Sequence, residues 1–179
     1  GAGKAGLEGD QRGILRGAVA DIGAFESQGF TITVTATSNN QQAKATEAFA
    51  LPLEVTVASV VAGEPVAGGQ VTFIAPALTL PSAVLVPASP AVVTIAAADG
   101  KASVTATANA VQGANYQVTA SAKGAANGVF LLSNLNAAPT ATLANTGPVN
   151  EGKTAKVTFS NQFDPEPADV IAGFRYAYD

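Results

Sequence analysis

Apolar and polar side chains alternate at every second position in a series of short runs between about residue 30 and residue 135. In one of these runs, Leu53, Val55 and Val57 fall on the same face. An alternation of period two is typical of a β strand with one buried face. The pattern therefore predicts strands at Thr31–Thr37, Leu53–Ala58, Gln70–Ile74, Val92–Ala96, Ala102–Ala108, Tyr116–Ala122 and Val129–Leu132.

Turn residues between the runs indicate how the strands are connected. The pair Asp99-Gly100 stands between two alternating runs, which is a strong local signal for a β-hairpin. About seven short strands with turn signals every 8–12 residues are typical of an antiparallel sandwich of two sheets. We therefore expect an all-β fold built around an antiparallel β-sandwich.

Two segments of this region do not alternate. Gln41–Phe49 is rich in Ala but has no clear helix cap, and it is predicted to be an extended loop or a short edge strand. Leu78–Val93 is apolar and interrupted by prolines, which suit sheet edges because proline has no N–H to donate. We expect an edge strand and a crossing loop between two sheets there. The alternative is an exposed apolar patch that acts in adhesion.

Charge density divides the chain into three zones. Residues 1–29 carry seven charged side chains, residues 30–135 also carry seven, and residues 136–179 carry eight. Position 1 is not Met, and Asp179 directly follows a strand-like pattern, so we expect a window from a larger modular protein. The predicted domains are 1–29, 30–136 and 137–179.

Composition excludes several kinds of site and partner. The chain has no Cys and no His, so it cannot form a disulfide, a thiolate metal site or a Ser-His-Asp triad by itself. Only 12% of residues are charged, the net charge is −4, and Lys and Arg are scattered, which argues against nucleic acid and anionic membranes as partners. Prolines interrupt the longest apolar region, Ala75–Ala98, so no membrane-spanning helix is expected.

The order of motifs in the middle zone resembles bacterial immunoglobulin-like domains of the invasin and intimin type. The resemblance covers roughly residues 38–135, and it implies an immunoglobulin-like sandwich that serves as a rod-forming spacer or an adhesive module on a bacterial surface. The motifs that carry it are Gln42–Ala50, Leu51–Val57, Gly63–Phe73, Asp99–Val104 and Tyr116–Ser121.

The first zone resembles the closing coil of secreted right-handed parallel β-helix proteins. Asp10–Gly13, Arg16 and Asp21–Glu26 carry this resemblance. It implies that residues 1–29 are the remnant of a solenoid cap, whose polar face stops further stacking. It assigns no catalytic role to these residues.

The last zone resembles the first half of an extracellular β-sandwich repeat of the PKD or cadherin-like type. Pro148–Gly152 and Phe163–Asp169 carry the resemblance. Strands are predicted at Lys156–Phe159 and at Phe174–Tyr178, whose aromatic side chains would share a core face.

Five carboxylates in the last zone form the densest acidic set of the chain: Glu151, Asp164, Glu166, Asp169 and Asp179. Ca²⁺ binds six to eight oxygen atoms, chiefly from carboxylates and carbonyls. Glu151, Asp164 and Asp179 are therefore candidate Ca²⁺ ligands. The spacing is not that of an EF-hand, and ordinary loop acids that keep the protein soluble are the more common alternative. A catalytic acid/base pair of Asp164 and Glu166 is disfavoured, because a proline-rich turn gives no reason for two opposed carboxylates.

These observations favour a non-enzymatic spacer segment of a large secreted or cell-surface bacterial protein with an adhesin-like organisation. Its expected partners are neighbouring domains of the same chain, and an extracellular glycan or a host or cell-surface protein. Two alternatives remain open. One is a module that binds carbohydrate or a receptor directly, and the other is an accessory domain of a secreted polysaccharide-degrading enzyme.

Overall fold

The computed structural model describes residues 27–176 of the chain. Within this range the secondary structure is almost entirely β, which confirms the predicted fold class. The elements are β1 (Phe30–Val34), β2 (Gln41–Lys44), β3 (Leu53–Ser59), β4 (Gln70–Ile74), β5 (Ala83–Val86), β6 (Ala91–Thr94), β7 (Lys101–Ala108), β8 (Gly113–Ser121), β9 (Gly128–Leu135), β10 (Thr140–Asn145), β11 (Val157–Phe163) and the helix α1 (Pro167–Ala172), with a single 3₁₀ turn at Ala36–Ser38.

Two sheets form a sandwich from strands β1 to β9. One sheet has the strand order β1-β3-β7-β5 and the other the order β2-β9-β8-β4-β6. Strand β2 pairs with β9 in parallel, and the other pairings in the two sheets are antiparallel. The predicted β-sandwich is therefore confirmed.

The sandwich core follows the alternation that the sequence shows. In β3, Leu53, Val55 and Val57 are buried while the residues between them are partly exposed. The rings of Phe73 on β4 and Phe130 on β9 lie 6.3 Å apart across fully buried positions. The remaining volume is filled mainly by Ala and Val. Small side chains of this kind suit two closely packed sheets.

The turn at Asp99-Gly100 is not a hairpin, and that prediction was wrong. Strand β6 pairs with β4 in one sheet, whereas β7 pairs with β3 and β5 in the other. The turn therefore carries the chain from sheet to sheet. Gly100 has a φ of 73°, and the Asp99 side chain accepts a hydrogen bond from the N–H of Lys101 at 3.2 Å. The Asp-Gly signal specifies this local geometry but not the strand that pairs next.

Both non-alternating segments adopt the predicted roles. Gln41–Lys44 forms β2, a short strand at the edge of the five-stranded sheet. Strand β5 lies at the edge of the four-stranded sheet, and the chain then crosses through Pro87 and Pro90 to β6, at the edge of the other sheet. Prolines thus occur where the chain leaves one sheet for the other.

A smaller unit follows the sandwich. Strands β10 and β11 form an antiparallel pair with a register shift between Thr140 and Thr142, and α1 follows directly. The predicted strand at Lys156–Phe159 falls largely within β11, but residues 174–176 adopt no strand, so the prediction at Phe174–Tyr178 was wrong over those positions. Tyr176 is 43% exposed and stacks on Phe159 with ring centroids 4.7 Å apart.

Some predictions concern residues beyond the described range. Most of the predicted solenoid cap at 1–29, including Asp10–Gly13, Arg16 and Asp21–Glu26, lies outside the described residues, as does Asp179. No helix between residues 27 and 176 combines the length and the hydropathy needed to cross a membrane.

Candidate functional site

Three carboxylates converge where β11 ends and α1 begins. Asp164 directly follows β11, and its Oδ1 accepts a hydrogen bond from the N–H of Glu166 at 2.8 Å. Pro167 occupies the start of α1, where a missing N–H costs nothing and the fixed φ suits a helix. Glu166 is extended, as residues before proline usually are, and Asp169 lies in the first helical turn. The sequence Asp-Pro-Glu-Pro-Ala-Asp thus folds its three acids toward one point.

The three acids are close together and mostly buried. One carboxylate oxygen from each of Asp164, Glu166 and Asp169 lies within 4.8 Å of the other two. Asp164 is 5% exposed and Glu166 is 3% exposed. Within residues 27–176 no Lys or Arg forms an ion pair with these three acids. The ion pair between Lys101 and Glu54 lies elsewhere, on the surface of the sandwich. We call these three residues the acidic cluster.

The linker between the two units contacts the acidic cluster. Asn136, directly after β9, donates from its side-chain Nδ2 to Oδ2 of Asp169 at 2.8 Å. The next residue, Ala137, directs its backbone N–H to the Glu166 carboxylate. The cluster therefore joins the end of the sandwich to the beginning of α1.

The environment of Glu166 disfavours its charged form. Burial raises the pKa of Glu166, and a side-chain hydrogen bond with Asp169 together with the negative charges of Asp169 and Asp164 raises it further. The N–H of Ala137 acts in the opposite direction. One oxygen, Oε1 of Glu166, is buried without a hydrogen-bond partner. A buried acceptor in this state costs free energy unless a proton donor or a cation reaches it.

A cleft of ≈440 Å³ lies beside the acidic cluster, between the sandwich and the C-terminal unit. The loop between β7 and β8 forms one wall through Ala110, Val111 and Gln112. Glu166 and helix α1, including Ile171, form the other wall. Ile171 is nevertheless 86% exposed, so the two units meet loosely at this point.

The structure places Asp164, one of the three predicted ligands, among other converging acids. Asp164 belongs to the cluster, Glu151 is exposed in the turn between β10 and β11, and Asp179 lies outside the described residues. Glu166 and Asp169 complete the cluster although they were not predicted as ligands. The alternation of proline and acid around Pro165 and Pro167 was the signal that could have identified them.

The chemistry of the cluster is that of a site for a hard cation. Its donors are carboxylate oxygens, with the Asn136 amide and linker backbone nearby. Ca²⁺ accepts such oxygen sets in irregular geometry, whereas Zn²⁺ sites are usually built from the His and Cys that this chain lacks. The orphaned Oε1 of Glu166 fits a bound cation.

Comparisons of the chain with protein-family models, with curated proteins and with solved structures gave no match. Its function must therefore be inferred from its own residues and their geometry.

Proposed function

We propose that this chain is a non-enzymatic spacer segment of a large secreted or cell-surface bacterial protein with an adhesin-like organisation. Its role is to hold neighbouring domains apart and in a fixed order. The observation that carries the proposal is the position of the two ends of the sandwich.

The chain enters the sandwich at one end and leaves it at the other. The N–H of Phe30, the first residue of β1, donates to the carbonyl of Gly124 at 3.0 Å, close to the start of β9. The chain leaves at Leu135, the last residue of β9. An eight-residue strand with a rise of about 3.3 Å per residue separates its ends by about 25 Å. A sandwich with this connection lengthens a chain of domains instead of folding it back.

Sequence features support the same function. The chain lacks His and Cys, the commonest general base and the most reactive nucleophile. The middle zone resembles bacterial immunoglobulin-like domains, and the first zone resembles the end of a secreted β-helix. Both resemblances imply a location at the cell surface or outside the cell.

The proposal is tested by replacing the sandwich within the parent protein. We would exchange residues 30–136 for an unrelated β-sandwich whose termini also lie at opposite ends, and then measure surface display and ligand attachment by the intact protein. A spacer tolerates this exchange. A matched exchange for a sandwich whose termini lie side by side should impair attachment, because the length is lost. Loss of attachment with both replacements would contradict the proposal.

A second candidate is a module that binds a glycan or a surface receptor directly. It is supported by an aliphatic strip on and before the edge strand β5, where Leu78, Leu80, Val84 and Val86 are each 44–64% exposed. Exposed apolar side chains that cluster in this way often mark a contact surface. A glycan array with the wild-type chain and a V84S/V86S variant tests this candidate. Binding that the variant loses would favour it over the spacer.

A further inference from the structure

We infer that Asp164, Glu166 and Asp169 bind one hard divalent cation of the Ca²⁺ class, and that this cation fixes the C-terminal unit to the linker that leaves the sandwich. The mechanical consequence rests on the proposed spacer function, but the cation site does not.

The first argument is the combination of proximity and burial. Three acids with oxygens within 4.8 Å of one another bring up to three negative charges together. Two of the three side chains are at least 95% buried, so water screens their repulsion poorly. Carboxylates on an exposed surface would instead move apart into the solvent. Positive charge within the cluster would relieve this repulsion.

The second, independent argument is the orphaned oxygen of Glu166. Glu166 is only 3% exposed, and its Oε1 is buried and accepts no hydrogen bond. The N–H of Glu166 donates to Asp164, and that of Ala137 is directed at the Glu166 carboxylate. A cation bound among the three acids gives Oε1 a partner and neutralises the cluster at the same time.

A shared proton is the competing explanation. A proton on Glu166 can form a hydrogen bond with Asp169 and remove one negative charge. It leaves the remaining charges of Asp164 and Asp169 close together, whereas a divalent cation compensates two charges. The two explanations differ in a measurable way, because only a cation makes stability depend on its concentration.

The location of the site determines its effect. Asp164 ends β11, Asp169 lies on α1, and Asn136 follows β9 and donates to Asp169. A cation held by the cluster fixes the carboxylates at the end of β11 and in the first turn of α1. The linker is attached to these same carboxylates by the hydrogen bond from Asn136 to Asp169 and by the N–H of Ala137. The sandwich and the C-terminal unit would then move as one body, and a chain of such units would become stiffer.

The binding test uses the full chain of 179 residues, freed of metal with a chelator and titrated calorimetrically with CaCl₂ alone. We expect saturable binding of one Ca²⁺ per chain and at least tenfold weaker binding of Mg²⁺, which prefers a regular octahedral shell. E166Q and D164N keep the shape of the side chains and remove charge, so each should weaken Ca²⁺ binding at least tenfold. E151Q is the matched control, because Glu151 is an exposed acid of the same unit outside the cluster. It should change the affinity less than twofold.

Several results would overturn the cation site. One is the absence of binding at millimolar Ca²⁺ by a wild-type chain whose circular dichroism shows it to be folded. Another is equal weakening by E166Q and E151Q, and a third is equal affinity for Mg²⁺ and Ca²⁺. An E166Q chain that is more stable than the wild type, together with no Ca²⁺ binding by either, would establish the shared proton instead.

Small-angle X-ray scattering of the same chain with Ca²⁺ and with chelator tests the mechanical consequence. We expect a narrower distribution of interatomic distances with Ca²⁺ and no such difference for E166Q. Binding without any change in scattering would overturn the clamp but not the site. Failure of the sandwich exchange described above would contradict the spacer function while leaving a measured Ca²⁺ site intact, so the two failures can be told apart.

Discussion

The buried amide of Asn134 belongs to a network at the end of the sandwich from which the chain leaves. Asn134 is 2% exposed, and its Nδ2 donates to the carbonyl of Ser82 at 2.9 Å, to Oδ1 of Asn109 at 2.8 Å and to the carbonyl of Val111 at 3.1 Å. Its Oδ1 accepts a hydrogen bond from the hydroxyl of Tyr116 at 2.8 Å. The network therefore fixes two loops and the last strand of the sandwich together, next to the junction with the C-terminal unit.

Replacing Asn134 by Ala should destabilise the sandwich. The substitution removes the acceptor of the Tyr116 hydroxyl and the donor to the Val111 carbonyl, whereas the Ser82 carbonyl and Oδ1 of Asn109 keep other donors. Each polar group left unsatisfied costs about 1–3 kcal/mol. We expect a loss of about 3 kcal/mol in the free energy of unfolding, measured by urea denaturation. Asn127→Ala is the control, since Asn127 is exposed in the loop before β9. Equal stability of the two variants would contradict the importance of the network.

The phenol of Tyr116 makes the same network sensitive to alkali. Burial raises the pKa of Tyr116 well above its ordinary value, and the hydrogen bond with Asn134 lowers it by less. The folded state therefore keeps its proton at a pH where the unfolded chain releases it, above about pH 10. Stability from this group is complete below that pH and is lost as the pH rises further. In Tyr116→Phe, unfolding measured from about pH 8 to about pH 11.5 should show a smaller fall in stability than in the wild type. Identical pH profiles would show that Tyr116 does not contribute.

Among the secondary-structure elements, the connection from β6 to β7 depends on one glycine. Gly100 has a φ of 73°, and its carbonyl accepts a hydrogen bond from the N–H of Val57 at 2.8 Å. A Cβ at this position would overlap the carbonyl oxygen of Val57. The turn thus holds β7 against β3 through a backbone contact that a larger residue prevents.

Gly100→Ala should therefore cost more than the usual penalty for a residue with positive φ. Gly63 provides the matched control, because it has a φ of 89° and no atom lies within 4 Å of the position that an added Cβ would take. We expect Gly63→Ala to destabilise by about 1 kcal/mol through backbone strain alone, and Gly100→Ala by about 3 kcal/mol because the overlap also displaces β3. Thermal unfolding of both variants measures the difference. Similar values would mean that the contact with Val57 relaxes easily.

Sequence-based predictions were correct where the structural feature depends only on neighbouring residues, and they failed where it depends on how distant segments pair. Alternation placed β4 at Gln70–Ile74 with the observed bounds, because the pattern and the burial share the same period. The hairpin at Asp99-Gly100 was wrong because a turn signal does not specify which sheet receives the next strand. Helix α1 was missed because a six-residue helix carries too little periodicity to be recognised. That omission also hid the convergence of Glu166 and Asp169 with Asp164, which depends on the first turn of α1.

At the scale of the whole molecule, the sandwich and the C-terminal unit differ greatly in how they are stabilised. The buried hydrophobic core is formed by residues between Ala43 and Leu132, all within the sandwich. In contrast, all six residues of β10 are exposed, and so are Val157 and Phe163 at the two ends of β11. The two units are joined by the linker and the acidic cluster, with no shared apolar core among the residues described.

A chain that ends at Asn136 should therefore keep a cooperatively folded sandwich. The truncation removes the exposed strands and the acidic cluster but none of the buried core, so we expect the midpoint of thermal unfolding to change by no more than about 4 °C, equivalent to about 1 kcal/mol. A chain that ends at Asn127 is the control, since it also loses β9 with the buried Phe130 and Leu132, and it should not fold. Loss of cooperative unfolding in the longer truncation would show that the sandwich needs the C-terminal unit. In that case the two units would already move as one body without a cation. Cation binding at the acidic cluster would then not be needed to stiffen the chain.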